Sequence, residues 1–234
     1  MALVIAHRTC QLHEAENSLA GIKQAGTLGV DGVEIDVRLT RDGAPVLVHD
    51  RTLLRIARWP LPTRCFTLAR LRRMKRRDNG LQIPTFAEAL SALPSGVVMV
   101  IDVKEAQAAM PTIAEVRRQG AEERVLLWGK SEATVSMFAR ELPRVERALL
   151  RNTWSARGTR RFLEDAERCD AHAISAHWNR ITPELVADAH GRGLKVYAMA
   201  RDADSQASRL AIGLDGVVTN WPEQALAAVR GERA

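Results

Sequence analysis

Acidic and apolar residues alternate in the segment at positions 32–37, which reads GVEIDV. On a β-strand, alternate side chains share a face. The pattern therefore predicts that Glu34 and Asp36 lie together on one face of the strand. Val33, Ile35 and Val37 then lie on the other face. Two carboxylates side by side repel each other and lose hydration when they are buried. They need protons, a bound cation or a basic neighbour.

The same alternation recurs at positions 100–104, which read VIDVK, so Asp102 and Lys104 share a face. At the carboxyl ends of neighbouring strands, Glu34, Asp36 and Asp102 would supply oxygen ligands. Such a set suits a hard cation, Mg²⁺ or Ca²⁺, better than a thiolate-preferring metal. The alternative is an internal ion-pair lattice in which Lys104 neutralises the acids. Buried ion pairs are poor stabilisers, which favours the metal site.

Two histidines end predicted strands near these acids. His7 is followed by Arg8, and His49 is followed by Asp50. Histidines at two strand ends beside a carboxylate cluster indicate an acid/base pair. The guanidinium fork of Arg8 suits a phosphate. Asn17 directly precedes a predicted helix, so it is either a helix cap or a contact in the site.

The elements that must position these residues alternate between strand and helix. The predicted strands are Leu3–Ala6, Gly32–Val37, Val97–Val103, Val125–Trp128, Ala148–Arg151, Ala173–Ser175, Lys195–Met199 and Gly216–Thr219. The predicted helices are Ser18–Leu28, Thr85–Leu93, Met110–Gln119, Glu132–Glu141, Arg157–Arg168, Pro183–Arg192, Asp204–Ile212 and Glu223–Arg230. Eight such units in 234 residues predict an α/β protein, a (β/α)8 TIM-type barrel, as one domain over residues 1–234. An open doubly wound sheet is the alternative, and no G-x-G-x-x-G follows the first strand to support its dinucleotide-binding form.

Residues 38–84 do not fit a bare barrel. Positions 38–50 predict a hairpin, with a turn at 41–43 and a strand at 45–48. A long connection follows, and Arg55 to Arg77 holds nine basic residues and no acid. A solvated helix face with a loop before it is the favoured interpretation. The alternatives are attraction of phosphorylated substrates and docking on an anionic surface.

Composition narrows the class of protein and its partners. The net charge of +6 suits an anionic small substrate, a nucleic acid or a membrane surface. One Tyr and four Phe supply few stacking platforms for single-stranded nucleic acid, so we expect no nucleic-acid partner. Apolar runs are too short for stable membrane insertion. Three cysteines without metal spacing, and no signal peptide pattern, predict a cytoplasmic protein. The sequence does not decide the oligomeric state, and a homo-oligomer is one possibility.

Several motifs resemble the glycerophosphodiester phosphodiesterase family. They are His7-Arg8, Glu16-Asn17-Ser18, the segment 32–37, the segment 40–46, His49-Asp50, Ile83-Pro84-Thr85-Phe86 with Glu88, Asp102-Val103-Lys104, and 213–220 with Pro222. The resemblance runs nearly end to end. It implies a TIM-type barrel that hydrolyses glycerophosphodiesters to sn-glycerol 3-phosphate and an alcohol, with a divalent cation as cofactor.

The resemblance also implies roles for single residues. His7 and His49 would be the general base and acid. The metal ligands would be Glu34, Asp36 and Asp102. Contacts to the phosphate or substrate would come from Arg8, Lys104 and Asn17.

Two departures from the family pattern bear directly on the site and its substrate. Thr9 stands where the family usually has glycine, and Asp102 where it usually has glutamate. These departures keep two alternatives open. One is the same barrel acting on another phosphodiester, such as a lysophospholipid, a sphingomyelin-type diester or a sugar phosphodiester. The other is a barrel that binds a phosphate ligand without turning it over.

Overall fold

Eight parallel strands close into a barrel in the computed structural model, which describes residues 2–152, 158–200 and 210–231. The strands among the described residues are β1 (Leu3–Ala6), β2 (Gly32–Leu39), β3 (Pro45–Leu47), β4 (Thr52–Leu53), β5 (Trp59–Pro62), β6 (Val98–Val103), β7 (Val125–Gly129), β8 (Glu146–Leu150), β9 (Ala173–His177), β10 (Lys195–Ala200) and β11 (Gly216–Thr219). The barrel order is β1, β2, β6, β7, β8, β9, β10, β11, and β11 returns to β1. The predicted barrel is confirmed, and the open sheet is wrong.

Helices cover the outside of the barrel. They are α1 (Leu19–Leu28), α4 (Phe86–Ala92), α5 (Ala109–Gln119), α6 (Glu132–Glu141), α7 (Gly158–Arg168), α8 (Pro183–Gly191) and α9 (Pro222–Arg230), while the short helices α2 (Leu54–Ala57) and α3 (Leu68–Leu71) belong to the segment after β2. Their starts follow local sequence signals. Thr182 caps α8 by accepting a hydrogen bond from the Leu185 amide, with Pro183 in the first turn. Most of the predicted helix Asp204–Ile212 lies outside the described residues.

The two faces of each barrel strand bury different partners. Val33, Ile35 and Val37 of β2 pack in the main core with the helices, as their alternation predicts. The barrel interior holds a separate apolar cluster that includes Ile5 and Trp128. These apolar side chains fill much of the barrel interior.

The segment after β2 forms a small layer of its own. β3 pairs antiparallel with the end of β2, which confirms the predicted hairpin. β4 and β5 form a second two-stranded ribbon. The side chains of Val46, Val48, Leu53, Ile56, Phe66, Leu71, Met74 and Ile83 form a core beneath this layer. The insertion is thus anchored at the carboxyl end of β2, where the predicted site residues lie.

Candidate active site

Three buried carboxylates meet inside the carboxyl end of the barrel. Asp36 of β2 lies opposite Asp102 of β6 in the parallel register, and Glu34 lies one pleat below. These side chains are 1%, 2% and 1% exposed, respectively, and each offers an oxygen within 4.8 Å of the others. The predicted inward orientation of all three is confirmed. Clustered, buried oxygens of this kind could hold a divalent cation.

Lys104 lies among these acids. Its Nζ is 2.5 Å from Asp36 Oδ1 and also pairs with Asp102 Oδ2. Burial opposes ionisation of Asp36, but the positive charge of Lys104, with a smaller contribution from Arg8, holds its pKa below the usual value. The pKa of Glu34 is instead raised well above its usual value, first by burial and then by the charge of Asp36. Ionised Glu34 therefore needs a further positive charge in the cluster.

The remaining acceptors test whether a cation fits. Asp102 Oδ1 is buried and has no hydrogen-bond partner in the described part of the chain. A buried, unpartnered carboxylate oxygen is costly, and a hard cation would satisfy it. The ion pairs to Lys104 are those that the lattice alternative predicts. That lattice, however, leaves Asp102 Oδ1 without a partner among the described residues and leaves the pKa of Glu34 well above its usual value. The residues present therefore fit a divalent cation.

His7 lies at the end of β1, held by groups from opposite ends of the chain. Its Nδ1 is 2.7 Å from Asn220 Oδ1, which also accepts a hydrogen bond from Gln11 Nε2. With this oxygen as acceptor, His7 carries a proton on Nδ1. Its Nε2 lies 3.9 Å from Glu34 Oε2, on the side of the acid cluster. The ring is therefore oriented with one nitrogen toward the site.

The turn after His7 has an unusual backbone. Arg8, Thr9 and Cys10 have φ angles of 47°, 64° and 77°. Left-handed conformations cost non-glycine residues roughly 1–2 kcal/mol each. Thr9 offsets part of this cost because its Oγ1 accepts a hydrogen bond of 3.0 Å from the Ser18 amide. The turn aims the Arg8 amide at Glu34 Oε2, 2.9 Å away.

A chain of charged hydrogen bonds joins His49 to Arg8. His49 Nδ1 is 2.7 Å from Asp50 Oδ1, and Asp50 Oδ2 accepts a bond of 2.7 Å from Arg55 Nε. Arg55 also donates to both oxygens of Glu16, at 2.7 and 3.0 Å. Glu16 Oε2 in turn accepts a bond of 3.0 Å from Arg8 Nη1. Burial lowers the pKa of His49, which favours its neutral form near pH 7.

The side-chain amide of Asn17 makes two hydrogen bonds to Asp36. Its Nδ2 donates to Asp36 Oδ2 at 2.7 Å, and its Oδ1 accepts from the Asp36 amide at 2.9 Å. Ser18, not Asn17, caps α1 by accepting from the Gly21 amide. The helix-cap interpretation of Asn17 is therefore wrong. Its predicted contact with substrate stays a prediction.

Arg8 keeps one donor available. Its Nε lies 3.7 Å from Asp36 Oδ2 and makes no hydrogen bond within the described residues, although it is buried. A buried guanidinium donor beside the acid cluster suits a phosphate oxygen.

Comparison with known proteins agrees with this arrangement. Residues 7–224 match the glycerophosphoryl diester phosphodiesterase family. The chain belongs to this family. A glycerophosphodiester phosphodiesterase of Caldanaerobacter subterraneus is 29% identical over 241 residues, which cover 97% of this chain and 98% of the relative. The predicted family and the predicted enzyme class, a phosphoric diester hydrolase, are confirmed.

Solved structures share the fold. A glycerophosphodiester phosphodiesterase from Parabacteroides distasonis matches with a TM-score of 0.86 at 20% identity, over 98% of this chain and 97% of that one. A phosphodiesterase from Oleispira antarctica, solved with the product sn-glycerol-3-phosphate, matches with a TM-score of 0.88 at 24% identity over the same shares. These structural matches support a TIM-type barrel as the fold of the present protein.

Sequence reasoning missed several neighbours of the site. Gln11, Arg55 and Lys130 were not predicted there. Lys130 follows β7, and its Nζ lies 3.8 Å from Asp102 Oδ2. Its place directly after a barrel strand is a signal that could have identified it, because family members of this fold carry their sites at strand ends. Gln11 and Arg55 lie in connections, where no local pattern marks them.

Two further observations concern the helices and the thiols. None of the described helices has the length and apolar composition of a membrane span. Cys10, Cys65 and Cys169, which are all within the described ranges, are free thiols.

Proposed function

We propose that this protein hydrolyses glycerophosphodiesters to sn-glycerol 3-phosphate and an alcohol in a reaction that needs a divalent cation. The observation that carries the proposal is the meeting of His7, His49 and three buried carboxylates at the mouth of a family barrel. The proposed metal ligands are Glu34, Asp36 and Asp102. Mg²⁺ and Ca²⁺ are the proposed ions because all ligands are oxygens.

Acid/base chemistry is assigned to the two histidines. His49 gives its Nδ1 proton to a hydrogen bond with Asp50, and its lowered pKa leaves Nε2 ready to accept a proton. We therefore assign the two roles in the reverse of the order that the resemblance implies. His49 would take the proton of the nucleophile, either water or the substrate's own glycerol hydroxyl. His7, with a second proton on Nε2, would give that proton to the leaving oxygen as its bond to phosphorus breaks. Such proton transfers typically contribute 10²- to 10⁴-fold each.

Charge on the phosphate is met by three sources. Arg8 would bind a non-bridging oxygen through its unpartnered Nε, and Lys104 would bind another from the acid cluster. A bound divalent cation would supply Lewis acidity and offset the charge that develops in the transition state. Asn17, which holds Asp36 from both ends, would keep that carboxylate fixed while substrate binds.

Space for the alcohol part of the substrate lies beside this chain of residues. A cavity of about 510 Å³ is lined in part by Gln11, Glu16, Arg55 and Asp78. Its polar walls favour a small, polar alcohol. The other phosphodiesters, namely lysophospholipids, sphingomyelin-type diesters and sugar phosphodiesters, remain the second candidate for the same site. Three free thiols suit a reducing compartment, so we also propose a cytoplasmic location.

The test is release of glycerol 3-phosphate from glycerophosphocholine and glycerophosphoethanolamine. The protein is assayed with added Mg²⁺ or Ca²⁺ and again with excess chelator. We expect release that the chelator abolishes and the metal restores. Release that resists the chelator would contradict the metal requirement. Binding of metal without release from these substrates, or from a panel of lipid and sugar diesters, would favour the non-catalytic barrel.

A further inference from the structure

The basic residues between Arg55 and Arg77 divide into two groups. Three of them are paired with carboxylates: Arg55, Arg72 and Arg76. The other six are exposed and have no carboxylate partner among the described residues. These six are Arg58, Arg64, Arg70, Arg73, Lys75 and Arg77. The insertion therefore carries six positive charges that the protein itself does not neutralise.

Large apolar side chains are exposed on the same insertion. Leu54, Trp59 and Leu61 are 55%, 39% and 45% exposed. Trp59 and Leu61 are alternate residues of the edge strand β5, so their side chains share a face. The guanidinium of Arg70 lies 5.9 Å from the ring centre of Trp59. Charge and apolar surface are thus next to each other here.

We propose that this surface, the insertion face, docks on an anionic phospholipid bilayer. It is formed by Leu54, Trp59, Leu61 and the six unpaired basic residues. Positive charges near an anionic lipid surface each contribute about fivefold to binding, and exposed apolar side chains enter the headgroup layer. Neither group alone would hold the protein, but together they supply the two signals that reversible membrane binding needs.

The insertion face lies next to the mouth of the barrel. Leu54 and Arg55 are consecutive residues of α2, and Arg55 bonds to Asp50 and Glu16 of the site. The cavity beside the site has a wall formed by Arg55. Docking through the insertion would therefore bring the site close to the lipid surface. The proposal does not rest on the proposed function, because binding to vesicles needs no turnover.

Flotation of the protein with vesicles tests the proposal. The full chain is mixed with vesicles of phosphatidylcholine alone or of phosphatidylcholine with phosphatidylglycerol. We expect binding to the anionic vesicles that is at least about tenfold tighter than to the neutral ones and that weakens as salt is raised. Equal binding to both compositions, or none to either, would overturn the proposal.

Two variants separate the charged and apolar parts. Reversing two charges with Arg64→Glu and Arg73→Glu should weaken binding by more than about 20-fold. Leu61→Ser should weaken it by about fivefold through loss of apolar contact. Thermal unfolding of each variant shows that it is folded, and glycerol 3-phosphate release from a soluble substrate should not change.

A matched control for the charge variants lies elsewhere on the surface. Arg144 is exposed just before β8, at the other end of the barrel. Arg144→Glu should leave vesicle binding within about twofold of the parent protein, because one remote charge does not reach the bilayer. Equal loss in the control and insertion variants would overturn the assignment of this face.

Binding to duplex DNA, measured in parallel, distinguishes a lipid surface from nucleic acid as the anionic partner. Nucleic acid would be sensitive to the two arginine substitutions but not to Leu61→Ser, since it offers no apolar layer. Tighter binding to DNA than to anionic vesicles at equal phosphate concentration would overturn the lipid proposal. Weaker binding to DNA, with loss in both the charge and Leu61 variants on vesicles, would support it.

Discussion

Arginines at the barrel mouth and on the insertion face carry the same charge in opposite settings. Arg8 is only 13% exposed and is bonded to Glu16, and Arg55 bridges Glu16 and Asp50. Arg58 and Arg64, in the same segment as Arg55, are exposed and have no carboxylate partner within the described ranges. At the mouth the surrounding groups fix the direction of each guanidinium. On the insertion face the side chains act only through their field.

This difference predicts different costs of mutation. Breaking an enclosed, hydrogen-bonded charge pair is strongly destabilising because the remaining charge is left buried. Exposed charges contribute little to folding and are screened by salt. Substitutions at the mouth should therefore affect turnover and folding, and substitutions on the insertion face should affect association with a charged surface. The following experiments test that division.

The largest effect is expected at the two histidines of the mouth. His7→Ala and His49→Ala should each lower kcat by about 10²- to 10⁴-fold, because each removes a proton donor or acceptor. The measurement is the initial rate of glycerol 3-phosphate release at saturating substrate and metal. Thermal unfolding should show that both variants are folded.

His190 offers the matched control. It lies on α8, is 42% exposed, and pairs with Asp215 at 2.8 Å. His190→Ala removes an imidazole and an ion pair without touching the mouth, so kcat should stay within about twofold of the parent. Full activity in either His7→Ala or His49→Ala would contradict the acid/base assignment.

A smaller effect is expected from Arg55. Arg55→Ala should lower kcat by about tenfold, because it loosens the Asp50 carboxylate that orients His49. Burial opposes ionisation of Asp50, but its bonds to Arg55 and His49 lower its pKa. Without Arg55 that pKa rises, so activity should begin to fall at a higher pH as the solution is acidified. The pH profile of kcat is the measurement.

Arg58 sharpens this comparison because it is three residues away and unpaired in the described structure. Arg58→Ala should leave both kcat and the pH profile unchanged, while Arg55→Lys should recover part of the lost rate. If Arg58→Ala changes kcat and its pH profile as much as Arg55→Ala does, the hydrogen bonds of Arg55 to carboxylates do not explain its effect.

The acid cluster was accessible to prediction because its cause is local. Strand period alone places Glu34 and Asp36 on one face, and parallel neighbours bring Asp102 beside them. The hairpin at 38–50 was predictable for the same reason, since its turn and strand are adjacent in sequence. Local periodicity thus identified the barrel and most of the candidate site.

Contacts between distant segments could not be predicted in this way. Arg55 and Glu16 are 39 positions apart, and His7 and Asn220 are 213 apart. Whether an arginine in a basic segment finds a carboxylate depends on how the insertion packs, which no local pattern encodes. The sequence also could not decide which residue caps α1, because asparagine and serine are equally good caps. The structure has Ser18 as the cap, one residue after Asn17.

The free energy that is lost with one hydrogen bond can be compared between the two regions at two threonines. Thr9 Oγ1 accepts from the buried Ser18 amide, and Thr67 Oγ1 accepts from the Arg70 amide at the start of α3 on the insertion. Thr9→Val should cost about 1–3 kcal/mol because it leaves a buried amide without an acceptor. Thr67→Val should cost only about 0.5 kcal/mol, since water reaches that amide. Urea unfolding measures both, and equal costs would contradict the distinction.

The smallest perturbation is chemical labelling of the thiols. Cys65 is exposed on the insertion, whereas Cys10 and Cys169 are buried. Burial raises the pKa of each buried thiol to about 11, so only about 0.1% of either is thiolate at pH 8. One equivalent of a thiol reagent should therefore react quickly with the native protein, and none with Cys65→Ser. Anionic vesicles should slow that reaction while neutral vesicles leave it unchanged, because Cys65 adjoins Arg64 on the insertion face. Rapid reaction of more than one thiol would show that the barrel opens to solvent as readily as the insertion, and the contrast between the two regions would then fail.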